Sequence, residues 1–516
     1  MVLFSKQRLR QSPAPWIAGL GALSMVLLTA GCAAAVPRLQ WPVEPPPPLA
    51  QQPRLWIALA ARLGDAASAS PLVLRSASGN LTLRDAAGYR LTAARIALQW
   101  RPVAEPQPWW LRRRVAGPFA SFETAESKAQ QWRALGVEVT IARPAEWELW
   151  APVDAPIPAG WKVRALEQQQ RQRLEPVLSQ GGQPPRLLQG PLSLEAPGGL
   201  RWQGAVYGGP FRLQRDAHGT WTLIEQVPLE RYLEGVLPHE IGATAPAAAL
   251  AAQAVLARTW ALRNLHRYRA DGYHLCASVQ CQVYSDPQQA TAAVRSAIHR
   301  TRAQVLTWEG QPIHAVYHAS NGGVAASLAE AWDASPLPYL RAGLDRATPQ
   351  GSAMPPLPPL GSLGSLLQTQ DLVGPDHPLF RWTRSLNRQQ VATALARQGL
   401  AVGPVQRLLV SERGPSGRVT ALTVEGQDGR VVLRRDAIRR TLRQLPSTLF
   451  ALQPLGPGRW RLQGGGFGHG VGLSQAAAIA LARLGWTYPS ILQRYYPGTQ
   501  LQTWQQLSAG PLGGDP

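Results

Sequence analysis

Lysine and dense basic runs are scarce in this sequence, although its net charge is +21 over 516 residues. Only Lys6, Lys128 and Lys162 are lysines, and the densest basic window is LRRRV at residues 111–115, inside an expected strand. A basic surface can serve nucleic acid, anionic lipid or an anionic wall polymer. An arginine- and alanine-rich composition is also typical of a GC-rich genome, and we favour that interpretation. No aromatic-plus-basic recognition motif occurs, so we expect no nucleic-acid partner.

Internal repeats and a disordered composition are also missing. With 45% apolar residues the chain has a globular composition. At ~100–200 residues per domain, its length predicts two to four domains. Cysteine is rare, because only Cys32, Cys276 and Cys281 are present. We expect the abundant glycine and proline to lie in loops and linkers.

The N-terminus has the pattern of an export signal. Basic residues in the first ten positions are followed by an apolar run at residues 16–31 and then by Cys32. This order is typical of a secretory signal peptide, which we predict over residues 1–32. Cys32 after Ala-Gly resembles a lipoprotein cleavage site, so we expect Cys32 to be lipidated and the chain to be membrane-anchored on the periplasmic or cell-wall side. An uncleaved anchor helix is the alternative, although ~16 apolar residues are short for a span.

Composition shifts along the chain predict its domain organisation. A proline-rich stretch is typical of an extended spacer, and a glutamine- and arginine-rich stretch indicates a polar linker. The predicted segments are a spacer at 33–53, a strand-rich region at 54–165, a linker at 166–186, a main domain at 187–503 with a loop insertion at 350–380, and a flexible tail at 504–516.

Within the strand-rich region, residues 115–142 predict strand, helix and strand. Apolar residues recur there at helical spacing before a glycine stop: Phe122, Ala125, Ala129 and Trp132. A Gly-Pro-aromatic turn before a helix resembles a sporulation-related-repeat (SPOR) module, and such modules bind glycan strands stripped of peptide. The alternative is a generic β-α-β unit with Trp132 in its core.

One carboxylate, Glu240, precedes a long alanine- and leucine-rich segment that we predict to be helical. An acid near a helix start is common, because the helix dipole favours negative charge there. Glu240 is therefore either an ordinary helix-start residue or a proton donor. Ser320 in HASNGG lacks the surroundings of a nucleophile elbow, which argues against a serine hydrolase.

The chain carries a series of motifs in an order that resembles the SpoIID/LytB family (sporulation stage II protein D and amidase enhancer). The resemblance covers roughly residues 187–501. The motifs are PLERYLEGVLPHEI, AAQAVLARTWA, CQVY, HASNGG, PYL, GPSGRV, STLF, GHGVGLSQ and YYPG.

This resemblance implies a lytic transglycosylase that cleaves bonds between N-acetylmuramic acid and N-acetylglucosamine in peptidoglycan. Such enzymes prefer strands stripped of stem peptides by an amidase and leave a 1,6-anhydro sugar. Glu240 would be the single acid and base, with its pKa raised by burial, while Glu230 and Glu234 would be structural. The implied partners are glycan strands and a cell-wall amidase.

Several further residues would contact substrate if the resemblance holds. An arginine can hold a sugar carboxyl or hydroxyl group, and glycine-flanked side chains often stand near a ligand. For Arg258 a surface salt bridge is the alternative role, and for the histidines it is packing. The candidates are Arg258, His318, Ser320, Tyr339, Arg341, His469 and Gln475, with Trp260, Trp332, Tyr339 and Tyr495 as stacking aromatics.

Cys276, Cys281 and the nearby His274 leave three alternatives open. They could hold a structural zinc, the cysteines could form a disulfide, or both could remain free thiols. Members of the family that bind zinc here have a histidine where this chain has Gln280. No cofactor is required for the implied reaction.

The predicted fold is α+β: a strand-rich domain with helices framing a glycan cleft, preceded by a smaller α/β region that resembles SPOR. Two other functions remain open. One is a non-catalytic partner that binds peptidoglycan and stimulates an amidase. The other is a structural lipoprotein with an inactive enzyme domain.

Overall fold

The computed structural model describes residues 37–49, 53–179, 184–357 and 363–507. The predicted signal peptide with Cys32, and residues 508–516 of the predicted tail, lie outside the described residues. Within those ranges, no helix combines the length and the apolar character that crossing a bilayer requires. The molecule is strand-rich α+β, as the sequence predicts.

Twenty-eight strands lie in the described ranges. The first fourteen are β1 (Arg54–Leu63), β2 (Leu72–Ser76), β3 (Leu81–Arg84), β4 (Arg90–Ala93), β5 (Arg95–Phe119), β6 (Thr140–Ala142), β7 (Trp147–Ala151), β8 (Val163–Leu178), β9 (Arg186–Leu187), β10 (Leu192–Glu195), β11 (Leu200–Trp202), β12 (Ala205–Tyr207), β13 (Phe211–Arg215) and β14 (Trp221–Pro228). The others are β15 (Leu275–Cys276), β16 (Gln304–Trp308), β17 (Gln311–Pro312), β18 (Tyr317–His318), β19 (Val324–Ala325), β20 (Gly343–Leu344), β21 (Trp382–Asn387), β22 (Val405–Arg413), β23 (Val419–Gly426), β24 (Gly429–Arg434), β25 (Phe450–Pro454), β26 (Arg459–Gly464), β27 (Leu473–Ser474) and β28 (Gln500–Thr503).

Ten α-helices lie in the same ranges. They are α1 (Phe122–Arg133), α2 (Leu229–Leu237), α3 (Ala247–Arg263), α4 (Ala292–Arg300), α5 (Leu328–Ala331), α6 (Leu363–Leu367), α7 (Arg388–Ala396), α8 (Asp436–Thr441), α9 (Gln475–Arg483) and α10 (Tyr488–Tyr495).

Two large sheets contain most of the early strands. One has seven strands in the order β15-β1-β14-β13-β10-β3-β4, and the other has eight, in the order β12-β11-β2-β5-β7-β6 with β8 on β5 and β9 on β8. Strand β1 pairs with β14, which leads directly into α2. The predicted boundary between residues 54–165 and 187–503 is therefore wrong as a domain boundary, because strands from both regions share each sheet and one core.

The predicted linker at 166–186 is also wrong over most of its length. Strand β8 pairs with β5 in an antiparallel ribbon that runs from Leu98–Leu178 to Ala116–Val163. Its polar residues stay largely exposed in this ribbon, and only the last four, Glu175–Leu178, are buried. Backbone pairing thus defines the strand where side-chain hydrophobicity gives no signal.

The proline-rich spacer at 33–53 is not a free extension where it is described. Trp41 is buried and packs edge-to-face on Trp109 at 4.9 Å. The amide of Arg38 donates to the carbonyl of Trp110, and that of Trp41 to the carbonyl of Ala217. Residues 37–49 therefore lie on the folded body.

Helix α1 follows its sequence prediction. Ser121 caps it by accepting a hydrogen bond from the amide of Thr124. Its apolar face is buried as predicted: Phe122, Ala125, Ala129 and Trp132. Strand β5 precedes it and β6 follows, so the predicted strand-helix-strand order is correct.

Helix α3 is buried almost all the way round, which its continuous alanine and leucine composition permits. It packs against α2, α4, α9, α10 and β16, so it is the central helix of the main core. A second core forms between residues 382 and 462 from two three-stranded sheets, β21-β26-β25 and β22-β23-β24, with α7 and α8. The predicted main domain therefore contains two cores.

Candidate functional site

Glu240 lies in a single π-helical turn, Pro238–Gly242, between α2 and α3. Pro238 lacks the amide hydrogen that would continue α2. Gly242 has a φ of +89°, a left-handed conformation that glycine adopts without cost. The local sequence thus interrupts the helical path at Glu240, and such turns are frequent at functional sites.

A cavity of about 330 Å³ lies beside Glu240, and we call it the acid cavity. Residues 279–283 supply part of its wall, and residues 120–123 at the start of α1 supply another part. Its aromatic lining consists of Phe122, Trp260, Tyr317, Trp332 and His469. Flat apolar faces of this kind can stack on sugar rings.

The surroundings of Glu240 favour its neutral form. Burial raises the pKa of Glu240, while hydrogen bonds from the Val283 amide and the Gln475 side chain act in the opposite direction. The Val283 amide lies 2.7 Å from Oε1 of Glu240. The net direction is a raised pKa, which suits a group that must hold a proton before donating it.

A second carboxylate, Glu123, also lines the acid cavity, and the sequence interpretation missed it. Burial alone would raise the pKa of Glu123, but the Arg267 guanidinium, which donates to Oε1 of Glu123, outweighs burial and the pKa is lowered. The cavity therefore contains one acid biased towards the neutral form and one biased towards the charged form. Glu123 lies in the first turn of α1, where acidic residues are common, so nothing in the sequence marked it as functional.

The His469 side chain lines the cavity and is not placed to act as a general acid or base. Its Nε2 lies 2.9 Å from the carbonyl of Tyr317, and its Nδ1 accepts a hydrogen bond from the Val471 amide. Burial and the nearby Arg439 lower the pKa of His469 to about 3. The ring is therefore neutral at physiological pH, with both nitrogens engaged, and it packs on Trp332 at 4.8 Å.

Comparison with known proteins matches this part of the chain to a protein family. The sequence profile of the "Stage II sporulation protein" family, SpoIID, matches residues 217–308, which include Glu240 and the cysteine pair. The chain is 26% identical to stage II sporulation protein D of Bacillus subtilis over 54% of this chain and 75% of that protein. Residues 217–308 thus match a SpoIID domain, and this match together with the named relatives supports the resemblance to the SpoIID/LytB family.

Other matches extend beyond this SpoIID segment. An uncharacterized protein of Brachyspira hyodysenteriae is 27% identical over 60% of this chain and 74% of its own length. The amidase enhancer of Bacillus subtilis is 27% identical over 53% of this chain, and the match spans 40% of that longer protein. A domain of unknown function (DUF8618) matches residues 326–472, which include the second core and His469.

Arg258 in the SpoIID segment does not line the acid cavity, so its predicted substrate contact is not supported. Its side chain is fully buried and donates twice to Glu230, at 2.9 and 2.7 Å. It also donates to the carbonyls of Ala254 and Gln304. Its donors are therefore used within the protein, and Glu230 is its structural counter-charge.

The two residues of the PYLR motif also lie outside the acid-cavity wall. Tyr339 is buried, and its hydroxyl accepts a hydrogen bond from the His314 amide. Arg341 is exposed and donates to the carbonyl of Pro338. The predicted substrate contacts of both are therefore not supported by the geometry.

His318 and Ser320 have internal partners. Burial holds the pKa of His318 well below its usual range, and its Nδ1 lies 3.1 Å from the carbonyl of Val471. The Ser320 hydroxyl accepts from the Gly322 amide within the SNGG turn. Both shape the wall behind His469, whose ring lies 5.1 Å from that of His318.

Gln475 is the predicted residue that the fold brings directly to Glu240. It is the first residue of α9, and its Nε2 lies 3.4 Å from Oε1 of Gln253 on α3. Two helices distant in sequence thus converge on the acid. Among the predicted stacking aromatics, Trp260 and Trp332 line the cavity, whereas the buried Tyr495 hydroxyl donates to Asp345.

The cysteines form a disulfide, Cys276–Cys281, one of the three alternatives that the sequence left open. His274 is engaged elsewhere, because its Nδ1 accepts a hydrogen bond from the Trp56 amide. Burial lowers the pKa of His274 to about 4. The proposed zinc ligand set therefore does not fit, and within the described ranges no group of three or more metal-binding side chains is found. The disulfide closes the loop just before Val283, whose amide donates the hydrogen bond to Glu240.

Proposed function

We propose that the chain is a peptidoglycan lytic transglycosylase in which Glu240 is both the acid and the base. The observation that carries this proposal is the partly buried Glu240, with its raised pKa, on the wall of an aromatic-lined cavity. The names of its relatives, a stage II sporulation protein and an amidase enhancer, agree with a role at the cell wall. We infer an extracytoplasmic location on the same grounds.

The reaction needs one carboxyl group. Neutral Glu240 donates its proton to O4 of N-acetylglucosamine as the bond from O4 to C1 of N-acetylmuramic acid breaks. The Glu240 carboxylate then accepts the proton of the muramic acid C6 hydroxyl, and O6 bonds to C1. The product is a 1,6-anhydro sugar, and no water is consumed.

Glu123 raises a second candidate function, a hydrolase with two carboxylates. Retaining and inverting glycosidases use a neutral acid and a charged partner, and the opposite pKa directions of Glu240 and Glu123 match that division. We favour the transglycosylase, because Arg267 already engages the Glu123 carboxylate. The non-catalytic amidase enhancer remains the alternative, and the name of one relative favours it.

Product analysis distinguishes these functions. Glycan strands stripped of stem peptides are incubated with the chain, and the products are identified by mass spectrometry. We expect 1,6-anhydro ends from the wild type and, with Glu240→Gln, at least about a hundredfold slower release. Reducing ends that depend on Glu123 would support the hydrolase. No cleavage by either protein, together with a faster amidase, would support the enhancer.

A further inference from the structure

A second cavity, of about 470 Å³, adjoins the acid cavity, and we call it the arginine cavity. The two share wall residues, including Trp332 and His469. Four arginines on or beside α8 line it: Arg435, Arg439, Arg440 and Arg443. A polymer bound with one bond at Glu240 can therefore extend past Trp332 and His469 into a basic compartment.

Two of these arginines are neutralised by ion pairs. Arg435 lies 3.2 Å from Asp333, and Arg440 pairs with Glu146. Arg439 and Arg443 have no hydrogen-bonding or ion-pair partner among the described residues, but Arg443 is exposed, whereas the Nε of Arg439 is fully enclosed. Burial lowers the pKa of Arg439, and no carboxylate opposes that effect. The enclosed Nε thus lacks a hydrogen-bond partner, and the unpaired charge of Arg439 at the cavity wall suits an anionic ligand.

The carboxylates in the same wall are engaged elsewhere. Glu330 accepts hydrogen bonds from Ser327 and Ser416, and Asp436 accepts from Ser121 and Thr124. Neither is bonded to Arg439. Their presence makes a singly charged ligand more suitable than a doubly charged phosphate, because each would repel the second charge.

We propose that Arg439 binds a sugar carboxylate, specifically the lactyl carboxylate of a muramic acid residue that has lost its stem peptide. This deepens the proposed function and rests on it. In intact peptidoglycan the lactyl group is tied up in a neutral amide. Its charge appears only once the peptide is removed, so Arg439 distinguishes stripped strands from intact ones by charge.

The test compares two ligands that differ only in that charge. Labelled stripped strands are used as they are, or after their lactyl carboxylates have been converted to methylamides. Binding is measured with the full chain carrying Glu240→Gln, so that no cleavage interferes. We expect about tenfold weaker binding of the amidated strands, since a hydrogen bond to a charged group is worth about that much.

Adding Arg439→Gln should reduce this preference to less than about twofold, and Arg439→Lys should keep part of it because the charge remains while the planar fork is lost. Arg461→Gln is the matched control, because Arg461 is exposed on β26 outside both cavities and should leave the tenfold preference unchanged. Equal binding of both strands by the chain with Arg439 intact would overturn the proposal. That comparison alters only the ligand, so it holds even if an Arg439 variant does not fold.

Two further outcomes separate this proposal from its premise. A charge preference without any cleavage by the wild type would support the carboxylate site and contradict the transglycosylase. Cleavage of stripped and amidated strands at equal rates, with equal binding, would support the transglycosylase and contradict the carboxylate site at Arg439. Displacement of stripped strands by inorganic phosphate but not by acetate would overturn the assignment to a carboxylate.

Discussion

The backbone amide of Val283 donates a 2.7 Å hydrogen bond to Oε1 of Glu240. Val283 follows the Cys276–Cys281 disulfide loop, while Glu240 belongs to the turn between two core helices. The cavity wall and the acid are therefore mechanically linked. This contact favours the charged carboxylate, but burial outweighs it, and the pKa stays above its usual range.

Replacing Glu240 by glutamine should stabilise the protein at high pH. A carboxyl group whose pKa is raised by folding stabilises the folded state fully below its unfolded pKa, and this contribution is lost as pH rises through the folded pKa. Glutamine keeps the shape and the acceptor for the Val283 amide but does not ionise. We expect Glu240→Gln to melt above the wild type at about pH 8 and to match it at about pH 4.

The exposed Glu309, between β16 and β17, provides the control. The free energy of unfolding of Glu309→Gln should stay within about 0.5 kcal/mol of the wild-type value at both pH values. A Glu240→Gln protein that is less stable than wild type at high pH would contradict the raised pKa.

Strand cleavage should decline as pH rises through the folded pKa of Glu240, because only the protonated acid donates to the leaving oxygen. His469 should add no limb near neutrality, since its pKa lies at about 3. Rates measured across pH under kcat/KM conditions test both points. The decline at high pH should persist unchanged in a His469→Gln variant, because it belongs to Glu240. A decline near neutrality that disappears in this variant would show that His469 titrates there and would contradict its lowered pKa.

The Glu230–Arg258 pair should contribute to stability and not to substrate binding. Glu230→Gln leaves a fully buried guanidinium without its counter-charge, and we expect a loss of about 3–5 kcal/mol in urea unfolding. The KM for glycan strands should stay within about twofold of wild type for the molecules that remain folded.

The exposed Arg407–Glu425 pair serves as a matched comparison. Glu425→Gln should cost no more than about 1 kcal/mol, because solvent screens that pair. A large rise in KM for Glu230→Gln without a loss of stability would restore the substrate-binding role that the sequence suggested for Arg258.

Removing the disulfide should loosen the wall around Glu240. For so short a loop, Cys276→Ser combined with Cys281→Ser should lower the free energy of unfolding by about 2 kcal/mol. Because the loop leads to Val283, kcat should fall as well. Treatment of the wild type with a thiol reductant should reproduce both effects, and full activity in the double variant would show that the loop holds its position without the bond.

The fold class and the helical elements near the site were predictable from local pattern. The apolar spacing of α1 and the alanine-rich α3 each specify a helix whose buried face can be read from residue order. Strand β8 was not predictable, because its polar residues face solvent and only pairing with β5 makes it a strand. Short-range pattern carries no information about such distant backbone partners.

The site divides in the same way. Glu240, Gln475 and His469 stood in recognisable motifs, and all three lie at or beside the acid cavity. Glu123 had no such signal, since its role depends on α1 packing near residues more than a hundred positions away, among them Arg267.

By itself, the sequence determined the strand-rich class, and it predicted the SpoIID/LytB resemblance and the acid at position 240, because motif order and residue type are properties of the chain. Only the tertiary structure decided that Arg258 faces Glu230, that the cysteines are joined, and that Arg439 stands without a partner beside the acid cavity. The physical reason is that burial and pairing are set by which distant segments meet, and the free energy of a charged group depends on those neighbours more than on its own identity.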